Sequence, residues 1–252
     1  MKARLLIPWA FLLASCRAPE RRWPFPAVEG ASDEAVLSTL SHRTNGVRSL
    51  YAVLSMSFET RERSAVAQAV VHYKVPGFIR MTAFKDMLFS SESLFDLVLT
   101  PERFSMLLRG ENGLERQEGQ AADLARIHPG FRSFQMLREA MFLPGLLSEA
   151  GRKVVTCQGG QIFVHSVTPS GHPVEWALEE RTLGVKRARV AVPDSSDLIT
   201  IDYESYRKVQ GVFLPEAFTL ADPGAGVRVI GILEEVELNP ELEGGVFKIE
   251  GG

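Results

Sequence analysis

The chain has few cysteines, no excess of positive charge and none of the common catalytic signatures. Only two cysteines occur in 252 residues, so at most one disulfide is possible. The formal net charge of -3 argues against nucleic acid as a partner. The sequence contains no Gly-x-Ser-x-Gly elbow, phosphate-binding loop, His-Glu-x-x-His pair or Cys-x-x-Cys motif. It therefore favours a binding or structural protein over an enzyme, and it predicts no cofactor.

The most pronounced apolar run stands at the N-terminus. Lys2 and Arg4 precede an apolar stretch that ends in Leu13-Ala14-Ser15-Cys16. This stretch is shorter than the roughly 20 residues that a hydrocarbon core of about 30 Å requires, and its order is that of a secretory signal. The motif resembles a bacterial lipobox, which implies cleavage before Cys16 and a lipid on its sulfur. An ordinary signal peptide with a coincidental cysteine is the alternative.

This motif predicts how the chain is divided. Residues 1–15 form the lipoprotein signal peptide, 16–31 a lipidated flexible tether and 32–252 one folded domain. Removal of residues 1–15 takes away two basic residues and no acids, so the formal net charge goes from -3 to -5. Cys157 then has no partner for an intramolecular disulfide, and we expect a buried, unreactive thiol there.

Hydrophobic periodicity predicts one helix followed by a long series of strands. Ser32 can cap a helix whose first turn carries two acids, and Asn45-Gly46 favours its end. From Ser49 the apolar residues alternate with a period of two, which is typical of strands. Turn signals then separate about ten to twelve strands.

A second amphipathic helix interrupts the strands between Phe131 and Phe142. A sheet of this length curls upon itself, and its concave side must be filled by side chains, a helix or a ligand. The predicted fold class is mainly β with helices (α+β). It is a single curved antiparallel sheet forming an unclosed half-barrel, covered by the N-terminal helix and a mid-chain lid helix.

Several segments, taken in order, resemble the lipoprotein-localisation superfamily of LolA/LolB-like carriers and receptors. The segments that carry this resemblance are Ser49-Leu50, Val75-Pro76-Gly77-Phe78-Ile79-Arg80, Leu143-Pro144-Gly145, Gly211-Val-Phe-Leu-Pro215, Glu237-Leu-Asn239 and Phe247. The resemblance implies an apolar hollow that receives acyl chains. It also implies that membrane lipid, through the Cys16 anchor, and acylated lipoproteins or a periplasmic carrier are the partners.

Alternation and the predicted lid helix together give a set of candidate ligand-binding residues that face the hollow. They are Leu54, Met56, Phe58, Val71, Tyr73, Phe95, Leu97, Phe134, Leu137 and Met141. The resemblance places Met87, Leu88 and Phe89 on a loop that contacts membrane or cargo, although the same residues can instead begin a strand. Arg17 differs from the aspartate that signals inner-membrane retention in enteric bacteria, so the resemblance implies the outer membrane, facing the periplasm.

Three other interpretations stay open at this stage. Cys157, His165 and His172 can be considered as metal ligands, but their spacing matches no standard zinc pattern. Lys186, Arg187 and Arg189 form a basic strand segment that is either a solvated face or a contact for anionic headgroups. The alternative function is that of a structural or assembly lipoprotein, which binds a protein partner and has a closed, packed core.

Overall fold

A computed structural model gives the fold of most of the chain beyond residue 31. It describes residues 32–43, 46–62, 64–75, 77–87, 90–110, 113–124, 153–167, 172–192 and 197–249. Cys16, the signal peptide, the tether and the predicted lid helix lie outside these residues, so they remain predictions. Among the described residues, no helix has the length and apolar composition of a membrane span.

The first element is helix α1, Asp33–His42, as the sequence predicts. The Ser32 hydroxyl accepts a hydrogen bond from the Ala35 backbone N–H at 3.3 Å, which satisfies one donor of the first turn. Val36 and Leu40 are buried on the apolar side of the helix. A capped helix therefore begins the described part of the chain, and the domain boundary at residue 32 stays a prediction.

The remaining elements are nearly all strands. They are β1 Ser49–Glu59, β2 Ser64–Lys74, β3 Phe78–Met87, β4 Ser90–Leu99, β5 Arg103–Gly110, β6 Gly113–Gln120, β7 Val154–Gln158, β8 Gln161–Val167, β9 Pro173–Leu178, β10 Val185–Ala191, β11 Leu198–Val209, β12 Val212–Asp222 and β13 Val227–Leu238. A short 3-10 helix, Ala121–Asp123, follows β6.

All strands belong to one antiparallel sheet in the order β6-β5-β4-β3-β2-β1-β13-β12-β11-β10-β9-β8-β7. The first and last strands pair at its centre, from Leu50↔Leu238 to Glu59↔Arg228. The strands β6 and β7 are the two edges, so within the described residues the sheet is not closed. The predicted unclosed, curved antiparallel sheet is confirmed. We call β1 to β6 the first half-sheet and β7 to β13 the second half-sheet.

The strand prediction was wrong in number. The described residues form thirteen strands, and the one without a counterpart in the prediction is β6, Gly113–Gln120. Its only large apolar residue is Leu114, which is 61% exposed, so no alternation marks it. Charged side chains are usual on edge strands, because they discourage pairing with other chains.

Asn239 ties the end of β13 to the start of β1. This residue adopts the left-handed conformation, with φ of 56°, which asparagine tolerates better than most residues. Its side-chain oxygen accepts from the Arg48 backbone N–H at 2.7 Å, and its side-chain nitrogen donates to the Gly46 carbonyl at 2.9 Å. The two ends of the folded chain are thereby joined at the end of the sheet where α1 lies.

Candidate functional site on the inner face of the sheet

One face of the sheet carries the hydrophobic core, and we call it the inner face. Alternate residues of each strand point to it, so apolar side chains form rows across neighbouring strands. One such row runs through Leu54, Ala69, Ala83 and Phe95, which are paired across β1 to β4. The rows from both half-sheets join in a single core cluster. The hollow predicted from the sequence belongs to this face, and it stays a prediction.

The structure brings seven of the ten predicted ligand-binding residues together on this face. Leu54, Met56, Val71, Tyr73, Phe95 and Leu97 belong to the core cluster, and Phe58 packs against it. The face assignment from alternation is therefore correct for the strands. Phe134, Leu137 and Met141 lie outside the described residues, and the binding of a ligand by any of the ten stays a prediction.

The predicted membrane-contact segment falls between β3 and β4. Met87 ends β3 and is paired with Ser90 at the start of β4. Leu88 and Phe89 connect these two strands and lie outside the described residues. A connection between paired strands is the place that the resemblance implied, but the exposure of this segment stays a prediction.

Strand β2 has small residues at one end of its inner face and large residues at the other. Ala65 is exposed, Ala67 is 3% exposed and Ala69 is fully buried. Val71 and Tyr73 continue the same face toward α1. Exposure therefore decreases along β2 from Ala65 inward. We call the end of the sheet at Ala65 the Ala65 end and the opposite end the helix end.

The helix end is closed by polar contacts between α1 and the turn that joins β9 to β10. The Arg43 guanidinium, just after α1, donates to the Leu183 carbonyl at 2.9 Å and to the Thr182 carbonyl. Burial lowers the pKa of Arg43 to about 10. The Tyr206 hydroxyl beside it donates to the Val185 carbonyl at 2.8 Å, and burial raises the pKa of Tyr206. Polar contacts therefore hold the helix end, whereas the inner face becomes exposed at the Ala65 end.

The second half-sheet fills its inner face with large side chains, a contribution that the sequence prediction missed. Trp176, Tyr203 and Phe218 are each at most 1% exposed. The Trp176 indole N–H donates to the Ser166 hydroxyl at 2.9 Å, so its only polar atom is satisfied. The ring of Phe218 covers Gly231 on the next strand, where an added Cβ would lie 2.7 Å from Cε1 of Phe218. The pattern that could have predicted this contribution is the alternation of Val174, Trp176 and Leu178 along β9.

The residues considered as metal ligands do not come together. Cys157 and His165 lie on opposite faces of the β7–β8 pair, since Val155, two residues before Cys157, is paired with Val164. The His165 ring instead lies 3.0 Å from the Thr156 hydroxyl. The expectation of a buried Cys157 was wrong, because the thiol is exposed on an edge strand beside the Gly159-Gly160 turn.

The basic segment of β10 is paired with acids on the outer face. Arg187 forms an ion pair with Asp202 at 2.6 Å, and Arg189 forms one with Glu175 at 3.1 Å. These contacts neutralise two of the three basic side chains of the segment. They favour a solvated protein face over a contact with anionic headgroups.

Comparison with known proteins yields similarities of structure. Neither a protein-family model nor a curated protein sequence matches the chain. A DUF1329 family protein from Desulfovibrio piger ATCC 29098 matches at a TM-score of 0.57 and 11% identity, over 85% of this chain and 96% of that one. A LolA superfamily protein from Nitrosomonas europaea matches at a TM-score of 0.56 and 9% identity, over 87% and 98%.

A third match is a Vibrio parahaemolyticus domain described as belonging to an outer membrane lipoprotein-sorting protein. Its TM-score is 0.53 at 8% identity, over 84% of this chain and 94% of that one. Sequence identities of 8 to 11% establish the fold and leave the activity open. With an unclosed sheet of this topology and these structural matches, the chain has a LolA-like fold.

Proposed function

We propose that the chain is a lipid-anchored bacterial envelope protein that takes acyl chains of lipoproteins, or another hydrophobic ligand, into its hollow. It acts in lipoprotein or lipid trafficking at the outer membrane and carries out no chemistry. The observation that carries this proposal is the continuous apolar inner face of a sheet that is not closed within the described residues. Apolar burial at roughly 25 cal/mol per Å² supplies the affinity for such a ligand.

The small side chains near the Ala65 end support this proposal. Four residues at about 3.3 Å each put Ala65 about 13 Å from Ala69. Each leaflet of a hydrocarbon core of about 30 Å is about 15 Å deep, so this distance is close to the depth that one acyl chain spans. An acyl chain that enters beside Ala65 runs along β2, between Met56 of β1 and Ala83 of β3, and ends near Ala69.

Cys16 places the domain at a membrane surface in this proposal. Two acyl chains already give stable anchoring, at about 0.8 kcal/mol for each buried methylene. A tether of 16 residues spans at most about 58 Å when fully extended, so the hollow and the segment of Met87, Leu88 and Phe89 stay within reach of that membrane. The partners are then acylated lipoproteins or a periplasmic carrier.

The anchor is tested by fractionating cells that express Cys16→Ala. Loss of the membrane-bound fraction is the expected result, because the substitution removes the only sulfur that can carry the lipid at this motif. Cys157→Ala is the matched control and should leave the distribution unchanged. Membrane association of Cys16→Ala equal to that of the unmodified chain would contradict the lipoprotein interpretation.

A second candidate function is favoured by the near-complete burial of the inner face. Leu54, Met56 and Val71 are at most 1% exposed, which is also what a packed core would show. In that case the chain is a structural or assembly lipoprotein that binds a protein partner with another surface. Mass spectrometry of organic extracts from the purified protein separates the two candidates. A bound acyl species supports the first, whereas an empty protein that also fails to bind a fluorescent fatty acid supports the second.

A further inference from the structure

The arginines of the described residues differ in whether their charge is already engaged. Seven of them form ion pairs with carboxylates. Arg43 and Arg207 donate to backbone carbonyls instead. Arg48, Arg61 and Arg181 are the three for which the described part of the chain offers no side-chain partner.

Arg61 is the one of these three that lies at the Ala65 end. It stands in the hairpin between β1 and β2, three residues after Phe58 and four before Ala65. Phe58 and Ala65 are paired across the two strands, and Phe58 packs against the core cluster. Arg61 is therefore close to the rim of the hollow, on the side where the inner face becomes exposed.

The Arg61 side chain is held against the neighbouring hairpin between β12 and β13. A Cβ added at Gly226 would lie 2.9 Å from Nε and 3.2 Å from Cγ of Arg61, so the arginine lies directly on this glycine. Gly226 has φ of 65°, a conformation that glycine adopts without strain. Packing of its stem limits the positions of the guanidinium, which lowers the entropy lost when it binds an anion.

The two acids nearest to Arg61 in the chain, Glu59 and Glu62, form no ion pair with its guanidinium among the described residues. Glu59 is engaged by Arg228 at 3.1 Å. Glu62 is adjacent in sequence, and no ion pair with Arg61 is found among the described residues. An arginine fixed at the rim of an apolar hollow is suited to an anionic oxygen group, since its fork of donors matches a carboxylate or a phosphate.

We infer that the ligand of the hollow carries an anionic headgroup, and that Arg61 binds this group at the rim while the acyl chain occupies the hollow. This inference rests on the proposed function and narrows it to acyl ligands with a carboxylate or phosphate end. Apolar burial supplies most of the affinity, and Arg61 selects charged over uncharged ligands.

The test compares cis-parinaric acid with its methyl ester by fluorescence titration at pH 8 and low ionic strength. The unmodified chain should bind the acid about fivefold more tightly than the ester, an effect of the size measured for exposed charge pairs. In Arg61→Gln this preference should disappear, so that acid and ester bind equally well and the affinity for the ester is unchanged. Arg61→Lys should restore part of it. The matched control is Arg181→Gln, an arginine at the helix end, which should keep the full preference.

Each outcome separates this inference from the proposed function. Binding of neither probe by the unmodified chain overturns both. Equal binding of acid and ester, or an undiminished preference in Arg61→Gln, overturns the anionic headgroup and leaves the acyl-binding function standing. If the preference depends on Arg61, displacement of the bound probe by dodecanoate and by dodecyl phosphate then shows which of the two anionic groups the rim prefers.

Discussion

The two half-sheets contribute different kinds of side chain to the same core. On its inner face the first half-sheet carries Ala52, Ala67, Ala69 and Ala83, together with Met56, Met81 and Met106. The second half-sheet carries a tryptophan, two tyrosines and two phenylalanines among β-branched residues and leucines, with Ala188 as its one inner-face alanine and no methionine in residues 153–249. The first half-sheet therefore has more alanine and methionine beside its rings Tyr73, Phe95 and Phe104, whereas the second half-sheet has more large rings and no methionine.

The alanines of the two halves have different neighbours. Ala188 is fully buried and lies between Trp176 and Ile201 on the adjacent strands, so one of its two cross-strand neighbours carries a large ring. Ala69 is paired with Ala83 and with Leu54, and no aromatic ring is directly opposite it. Methionine side chains adapt to irregular neighbours. The comparison teaches that large rings hold the core of the second half-sheet, and under the proposed function it favours the first half-sheet as the place of the ligand.

The largest expected effect on stability comes from truncating Trp176, the largest buried side chain of the second half-sheet. Trp176→Ala should lower the free energy of unfolding by about 3–5 kcal/mol, because it leaves a cavity in a packed region and takes away the hydrogen-bond donor to Ser166. Met81→Leu in the first half-sheet conserves volume and should cost less than about 1.5 kcal/mol. Urea unfolding of both variants checks the contrast, and equal losses would abolish it.

A second prediction adds volume to each half. Ala188→Leu should lower the free energy of unfolding by about 1–3 kcal/mol, because Ala188 is fully buried and added atoms overpack such a site. Ala67→Leu, nearer the exposed Ala65 end, should cost less stability than Ala188→Leu, and it should weaken binding of a fluorescent fatty acid. Thermal and urea unfolding with a probe titration test both halves. A larger loss of stability for Ala67→Leu than for Ala188→Leu would reverse the comparison.

The inner-face residues of several strands could be predicted from the sequence, whereas strand β6 could not. Alternation in β1, β2 and β4 placed Leu54, Val71 and Leu97 on the inner face, since a period of two follows directly from strand geometry. The Ser32 cap followed from the same kind of local chemistry. Strand β6 could not be found this way, because its pairing with β5 depends on backbone hydrogen bonds and its side chains show no alternation.

Contacts between distant parts of the chain were also beyond the sequence pattern. The bonds from Arg43 to the turn at Thr182 and Leu183 join residues about 140 positions apart, and no local pattern marks them. The exposure of Cys157 depends on β7 being an edge strand, which is a property of the strand order. The apolar run around Cys157 fits a buried strand equally well.

The smallest expected effect concerns the outer face of the first half-sheet. Burial, followed by the facing Arg80 guanidinium, holds the pKa of His72 below its usual value. Between the lowered folded pKa and the ordinary unfolded pKa, the unfolded chain binds more protons, so stability falls as the pH decreases. His72→Gln should therefore lose less stability than the unmodified chain between pH 7.5 and pH 5, measured by urea unfolding. Parallel pH profiles would contradict this role for His72.

The most direct test of acyl binding in the hollow uses two adjacent residues on opposite faces of β2. Ala65 lies on the inner face and is exposed, and Val66 lies on the outer face with 65% exposure. Each is changed to cysteine in a Cys16→Ser, Cys157→Ser background, labelled with the same fluorophore and titrated with a doxyl-labelled stearic acid. Binding in the hollow predicts saturable quenching of the label at position 65 and little quenching at position 66. Equal quenching at both positions, or none at either, would contradict it.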